Sequence, residues 1–418
     1  MPGGPHRHRA PGPVQPVRAA RGGTQEDVRR HNLGTLLTHL HESGPLTRAE
    51  LTARMGLNRS TIAVLVSELA ALGAVQEQRP DAAAHGQSGA GRPSLVVMPA
   101  GDQVQVLAAD IAVDRVTVAL IGLGGTVATR RTRRQSDCGP DAVLELVLAL
   151  VEEVLADPAA GQSVVGLGIA LPGVIRQSDG CVRFAPNLAW VDVPFGDMLQ
   201  RRLPDLPIWL GNDADLGLLA EHRRGAARGV DDVVFLAGEV GVGGGMVLGG
   251  RPVVGAGGYA GELGHMVIRP GGRRCRCGAH GCWETEIGLP AVARALHLPE
   301  DAASDELIAA LARVEPDDGT LTEVGRYLGL GMASIINLVN PRLFIVGGLL
   351  REVFPLVQQQ VEETLRAAAL TAPADQARVA VPALGGDSAL FGASELAWSD
   401  LLADPTAVLG GRDLQVMP

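Results

Sequence analysis

The chain has 418 residues, of which 46% are hydrophobic and 20% charged, the balance of a globular protein with room for two or three domains. It shows no apolar run of the ~18 residues that a membrane-spanning helix needs, and its Pro-, Gly- and Arg-rich N-terminus lacks the apolar core of a secretory signal. Residues 1–98 hold 11 of the 36 basic residues, all of them Arg, and 7 of the 46 acidic ones, so a mildly basic head precedes an acidic body and the head alone is expected to meet an anionic partner.

Residues 1–23 read as a flexible tail, because Pro and Gly break every pattern there. Residues 24–99 read as a DNA-binding unit. After Asn32, the residues Leu33, Leu36, Leu37 and Leu40 fall at helical spacing, up to Gly44-Pro45. Thr47 and Glu50 make a capping box for a short helix through Met55. Gly56 breaks that helix, and Asn58 opens a third with Ile62, Leu65, Val66, Leu69 and Leu72 on one face. Two short helices joined at Gly56-Leu57 fit a helix-turn-helix, in which the start of the second helix approaches base edges. Arg59 suits a guanine and Asn58 an adenine, while Ser60 and Thr61 suit phosphates. Val75–Arg79 and Ser94–Met98 read as a hairpin wing, with Arg92 placed for the minor groove. The competing reading of the head is a small helical interaction domain.

The body, residues 100–400, reads as α/β. Val104–Asp110 and Val116–Ile121 are predicted to pair, and a helix is predicted over 141–156. Val164–Leu171 is apolar almost throughout, as a strand buried on both faces would be. Further strands are predicted at Ile208–Leu210, Val233–Ala237, Val242–Leu248 and Leu343–Val346, with glycine-rich turns facing a cleft between two lobes. Residues 401–418 are expected to be a C-terminal tail.

Three of the five cysteines, Cys275, Cys277 and Cys282, lie within eight positions of one another, ten residues and more after His265. One His and three thiolates suit a closed, four-coordinate, structural zinc site with no position left for an activated water. An odd cysteine count with this clustering favours reduced thiols in a cytoplasmic protein over disulfides. His280 reads as a solvent-facing loop residue, and Cys138 and Cys181 as ordinary thiols.

Asn-Asp-Ala-Asp at 212–215, Gly-Gly-Tyr-Ala-Gly-Glu-Leu-Gly-His at 257–265 and Cys-Arg-Cys-Gly-Ala-His-Gly-Cys-Trp-Glu at 275–284 resemble the signature of the ROK family of repressors, uncharacterised frames and sugar kinases. The head resembles the winged helix-turn-helix that family repressors carry and family kinases lack. The resemblance implies an actin-like, ribonuclease-H-type body of two lobes and maps sugar contacts onto Asn212, Asp213, Glu262, His265 and Glu284. Carboxylates and amides at these positions fit a ligand whose hydroxyls both donate and accept. His265 is expected to ligate zinc with one ring nitrogen and face the sugar with the other. Asn187 and Gly173 are rim candidates. A helix cap is the competing role for Asp213.

The same resemblance frames the question of catalysis. Family kinases resemble Asp-x-Gly-Gly-Thr at the first strand turn, where this chain has Asp110-Ile111-Ala112-Val113-Asp114. The second loop, ordinarily Gly-Thr-Gly, reads Glu239-Val240-Gly241. Both changes remove close-approach glycines or a hydroxyl and add carboxylates where a phosphate would sit. The expectation is therefore no catalytic residue, with Asp213 in a vestigial base position. The chain reads as a sugar-responsive regulator, most simply a repressor that binds a double-stranded DNA operator as a homodimer or a dimer of dimers. An active sugar kinase with an appended DNA-binding head is the alternative.

Overall fold

The structure is a computed structural model that describes residues 24–79, 94–161 and 163–410. The expectations for the N-terminal tail and for Arg92 lie outside the described residues.

The head opens with α1 (Gln25–Ser43), which starts seven residues before Asn32 because Thr24 and Asp27 form a capping box of their own. Gly44 ends it at φ +73°. The two-residue strand β1 (Leu46–Thr47) leads into α2 (Arg48–Met55). Here the predicted box is present: the Thr47 hydroxyl accepts from Glu50 N at 3.1 Å and the Glu50 carboxylate accepts from Thr47 N at 2.7 Å. α3 (Arg59–Ala71) follows and buries Ile62, Leu65, Val66 and Leu69. β2 (Val75–Gln78) and β3 (Val96–Pro99) pair antiparallel, and β1 adds to the far side of β3. The wing is thus a three-stranded sheet whose third strand the hairpin reading did not include.

The first lobe of the body is built from β4 (Val104–Ile111), β5 (Arg115–Gly122), β6 (Val127–Arg134), α4 (Pro140–Leu155), β7 (Ser163–Leu171), β8 (Val174–Arg176), β9 (Cys181–Ala185), β10 (Trp190–Val193), α5 (Phe195–Arg202), β11 (Ile208–Asn212) and α6 (Asp213–Arg224). The second is built from β12 (Val233–Gly238), β13 (Val242–Leu248), β14 (Arg251–Pro252), α7 (Glu284–Ile287), α8 (Leu289–Ala295), α9 (Ser304–Leu311), α10 (Thr322–Val339), β15 (Leu343–Gly348), α11 (Leu350–Val353), α12 (Gln358–Ala368), α13 (Thr371–Ala374) and β16 (Arg378–Ala380), after which α14 (Ser388–Ala397) returns to pack on β7 and β4 of the first lobe. The two main sheets run β6-β5-β4-β7-β11 and β14-β13-β12-β15-β16. In each, three antiparallel strands come first and two parallel strands are added beyond the first of them. This repeated plan is the two-lobed, actin-like architecture. It brings the carboxyl ends of β4, β11, β12 and β15 to one cleft, the usual ligand position in such sheets.

The glycine run in β13 has a packing cause. A Cβ at Gly243 would lie 2.9 Å from the Ala214 side chain, and one at Gly244 would lie 2.6 Å from Leu263. The run lets the first turn of α6 and the segment before His265 approach the sheet.

The tail expected over 401–418 is corrected by the structure over 401–410, and residues 411–418 lie outside the described residues. α15 (Ser399–Ala403) and α16 (Pro405–Leu409) are helices, and Leu401, Leu402 and Leu409 are buried in one apolar core with Leu33, Leu36, Leu37 and Leu40 of α1. Gly34 marks the contact, since a Cβ there would stand 2.4 Å from the Leu402 carbonyl oxygen. Helices of five residues are too short to show a 3.6-residue period, so the sequence hid them. The same core includes Val104, Val106 and Leu216 of the body. Residues 99 and 100 therefore do not mark a free linker, and Ala100 N donates to Ala74 O at 2.9 Å.

Candidate functional site

The cleft between the sheets is lined by Asp110, Arg115, Asn187, Asn212, Asp213, Glu239, Glu262, His265 and Glu284, among others. Asn212, at the end of β11, caps α6: its Oδ1 accepts from Ala214 N at 2.9 Å and Asp215 N at 3.1 Å. Its Nδ2 donates to Gly173 O at 3.0 Å, which fixes the cleft rim. The competing role of Asp213 as the cap is thus taken by its neighbour. Asp213 is the first helical residue, with Oδ1 accepting from Ala214 N at 2.8 Å. Burial, then the charge of Glu239, pushes its carboxyl up to about 6.

Asp110 ends the same way at the mouth of β4. Burial and Glu239 push it up to about 7, while Arg115 acts in the opposite sense. Glu239 is raised by burial and held down by Arg115. The Arg115 guanidinium lies 3.0 Å from Asp114 and 3.9 Å from Glu239. Arg115 and Asp215 are cleft-side residues that the motif reading missed. Arg115 is brought back beside Asp110 by the tight β4–β5 turn, in which Ala112 N donates to Arg115 O at 2.9 Å. The sequence signal was an arginine closing a predicted hairpin. Asp215 lines a small side pocket with Tyr259 and Glu262, and burial pushes it up to about 7.

Across the cleft, His265 Nδ1 stands 3.7 Å from Cys275 Sγ, and Cys277 Sγ stands 3.7 Å from Cys282 Sγ. The donor atoms of His265, Cys275, Cys277 and Cys282 all lie within 4.8 Å of one another. Zinc–sulfur bonds of ~2.3 Å in a tetrahedron place neighbouring sulfurs ~3.8 Å apart, so the cluster has the size and donor set to hold a metal ion. His280 turns away and meets Gly272 O at 3.2 Å. Cys138 and Cys181 lie outside the cluster. Trp283, buried beside Cys282, donates from Nε1 to Tyr327 O at 2.8 Å and pins the loop to α10.

The cluster and the cleft share His265. The second ring nitrogen of His265, Nε2, stands 3.9 Å from Glu262, whose carboxyl is raised by burial. Glu284 accepts from the Cys275 thiol at 2.8 Å and also lines the cleft. Arg276, inside the cysteine loop, donates to Asn187 Oδ1 at 2.8 Å and so ties the loop to the opposite lobe.

At the head, Asn58 is engaged by its own helix start. Asn58 Oδ1 accepts from Thr61 N at 2.8 Å, Ser60 Oγ at 2.6 Å and Thr61 Oγ1 at 3.0 Å. A bidentate adenine contact needs that oxygen, and the helix cap already uses it. The Ser60 and Thr61 hydroxyls donate to the same cap. Arg59 is exposed at the tip of α3.

The cysteine loop and the capped Asn212-Asp213 pair, on facing sides of an actin-like cleft, direct attention to one group of proteins, and the sequence model of the ROK family matches residues 106–399. The chain belongs to the ROK family. This ROK protein is 30% identical over 340 residues to the xylose repressor of Bacillus subtilis (strain 168), covering 80% of this chain and 86% of that one. It is similar to the crystal structure of a ROK family transcriptional regulator, a homolog of the E. coli MLC protein, at 26% identity and a TM-score of 0.74, covering 92% of this chain and 100% of that one. It is also similar to a ROK family glucokinase from Streptomyces griseus in complex with glucose and AMPPNP, at 26% identity and a TM-score of 0.62, but over only 71% of this chain and 99% of that one. The regulator's match extends into the head, and the kinase's match leaves more than a quarter of the chain uncovered. Among the described residues, no helix is long and apolar enough to cross a membrane.

Proposed function

We propose that this ROK protein is a sugar-responsive repressor. Its head binds double-stranded operator DNA and its cleft takes a free monosaccharide. The observation that carries this reading is a winged helix-turn-helix fused to a cleft whose phosphate end is occupied by Asp110, Arg115 and Glu239. Asp213, Glu262, His265 and Glu284 are assigned to the sugar hydroxyls, with Asn212 and Asn187 fixing the rim. Arg59 is assigned to base reading, with Ser60 and Thr61 near phosphates. Two copies would meet a two-fold operator, since half-site spacing follows protein symmetry.

His265, Cys275, Cys277 and Cys282 are assigned to one structural zinc ion. When bound, the metal supplies a fold for a loop with little core of its own. The chain's own residues then act on the ligand: His265 presents Nε2, and Glu262 and Glu284 accept hydroxyl protons in hydrogen bonds.

Induction follows if the sugar binds the released arrangement more tightly than the operator-bound one. Xylose is the first sugar to try, because the similar Bacillus protein is a xylose repressor. A gel shift with DNA from upstream of the protein's own gene, with and without xylose, glucose and related sugars, tests the reading. Release by one sugar supports it, and operator affinity indifferent to every sugar would overturn it. The kinase reading rests on the retained Asp213. Sugar-dependent ATP turnover abolished by Asp213→Asn would establish that reading instead.

A further inference from the structure

One helix joins the cleft to the head. α6 begins at Asp213 in the cleft and ends at Arg223 and Arg224. Its 12 residues span ~18 Å at the usual rise of 1.5 Å per residue. Along the way, the fully buried Glu221 carboxylate accepts from Ala226 N at 2.8 Å, Ala383 N at 3.0 Å, Leu384 N at 2.9 Å and Ser388 Oγ at 2.8 Å. Ser388 opens α14 and also lines the cleft. A Cβ at Gly392 of α14 would lie 1.9 Å from Leu216 O, so the two helices touch backbone to backbone. α6 and α14 therefore move as one body.

The far end of that pair meets the head at a buried polar joint. Glu395 of α14 is 1% exposed and receives Arg223 Nη1 at 2.8 Å and Arg224 Nε. His41 of α1, 0% exposed, places Nε2 3.2 Å from Glu395 Oε1. Its Nδ1 accepts from Gly124 N at 3.1 Å, and its Nε2 faces both the Glu395 carboxylate and the Arg224 Nη2 donor. Arg224 also donates to His41 O at 2.9 Å and to Gly124 O at 3.0 Å. One carboxylate thus receives groups from head and body at once. Directional bonds of this kind hold a fixed geometry better than apolar contact does, and removing one partner leaves buried groups unsatisfied.

We propose that α6 is the lever that carries cleft occupancy to the head, and that Glu395 is the positioning residue at which His41 and Arg224 set the head against that lever. The inference rests on the sugar-responsive reading given above. A ligand gripped by Asp213 and by the cysteine-loop lobe changes how the two lobes sit. The α6–α14 pair converts that change into a displacement at its other end, where α1 is hydrogen-bonded. A two-state element biased from both sites is the physical requirement for coupling, and a rigid helix pair with a polar joint at one end and a ligand at the other meets it.

The test uses the full chain, with xylose or whichever sugar releases the wild-type protein as the probe. Sugar affinity is read by calorimetry and operator affinity by gel shift, with and without sugar. For Glu395→Gln, sugar affinity should stay within about twofold of wild type while the sugar-induced fold-change in operator affinity drops at least fivefold. Arg223→Gln, at a partly exposed position, should lower the same ratio if Glu395→Gln fails to fold. Arg30→Ala removes a head-to-body contact with Asp404 away from the joint and should leave the ratio unchanged. A merely structural role for the joint would weaken thermal stability and leave the ratio intact. Variants of Glu395 and Arg223 that respond to sugar like wild type would overturn the lever while leaving the sugar reading in place. A wild-type protein that responds to no sugar would overturn both.

Discussion

The guanidinium of Arg115, at the start of β5, stands 3.9 Å from the carboxylate of Glu239, just past the end of β12 in the other lobe. In an actin-like cleft this is the place between the first strands of the two lobes. A salt bridge across it joins the lobes without a bound nucleotide. It also surrounds the spot with Asp114 and Glu239, joined by Asp110 once pH rises above about 7, so an incoming phosphate meets more negative charge than positive.

The first expectation concerns anions. Calorimetry should show no binding of magnesium–ATP, and a sugar phosphate should bind at least tenfold more weakly than the free sugar, since close like charges cost more than ~1 kcal/mol. Equal affinity for sugar and sugar phosphate would remove Asp110 and Glu239 as a barrier to phosphates.

A second expectation is a pH profile of stability. Asp110 is pushed up to about 7 in the folded state against a usual value of 3.8. Between those values the unfolded chain has released its proton and the folded chain has kept it. The contribution of Asp110 to stability is therefore intact at pH 3 and is lost as pH rises through about 4 to 7. Asp110→Asn should flatten this part of the profile and raise the melting temperature at pH 8, with a gain on the order of a few kcal/mol. A variant less stable than wild type at pH 8 would contradict the assignment.

Metal content gives a third. The purified protein should carry one zinc per chain, measured by elemental analysis. Cys277→Ser should lose it and destabilise the fold by more than about 4 kcal/mol, the range reached when a structural metal is lost. Sugar binding should fall in the same variant, because His265 belongs to both the cluster and the cleft and Glu284 of the cleft accepts from the Cys275 thiol.

A fourth concerns base reading. Arg59→Ala should cost about 1–3 kcal/mol and relax operator discrimination at one base pair. Asn58→Ala should instead weaken binding evenly across operators, by loss of the cap, with about 1 kcal/mol lost from the stability of the head. Selective loss at one adenine in Asn58→Ala would restore a base-reading role to Asn58.

The sequence carried the central strands of both lobes but not β6, β8, β9, β10, β14 or β16, and it carried the α2 capping box and the four-residue metal cluster. These are local signals: a period of two, a reciprocal cap, thiols at fixed spacing. Asn212 against Asp213 shows where local reading stops. Both residues suit a cap, and only the backbone angles assign it to Asn212. Arg115 and His41 were missed for a stronger reason. Their roles depend on Glu239 and Glu395, which are distant in sequence, and a lone Arg or His carries no mark of its partner. The helices over 399–409 escaped because each is shorter than two turns.

Gly34 lies against the carbonyls of Leu402 and Ala403, and that contact has a consequence for synthesis. A ribosome makes the head before the helices that support it. Until α15 and α16 emerge, α1 packs on Leu51, Ile62 and Leu65 of the head but lacks the wall that Leu401, Leu402 and Leu409 supply. A chain cut short by an early stop codon would carry every residue of the helix-turn-helix and still lack a finished head.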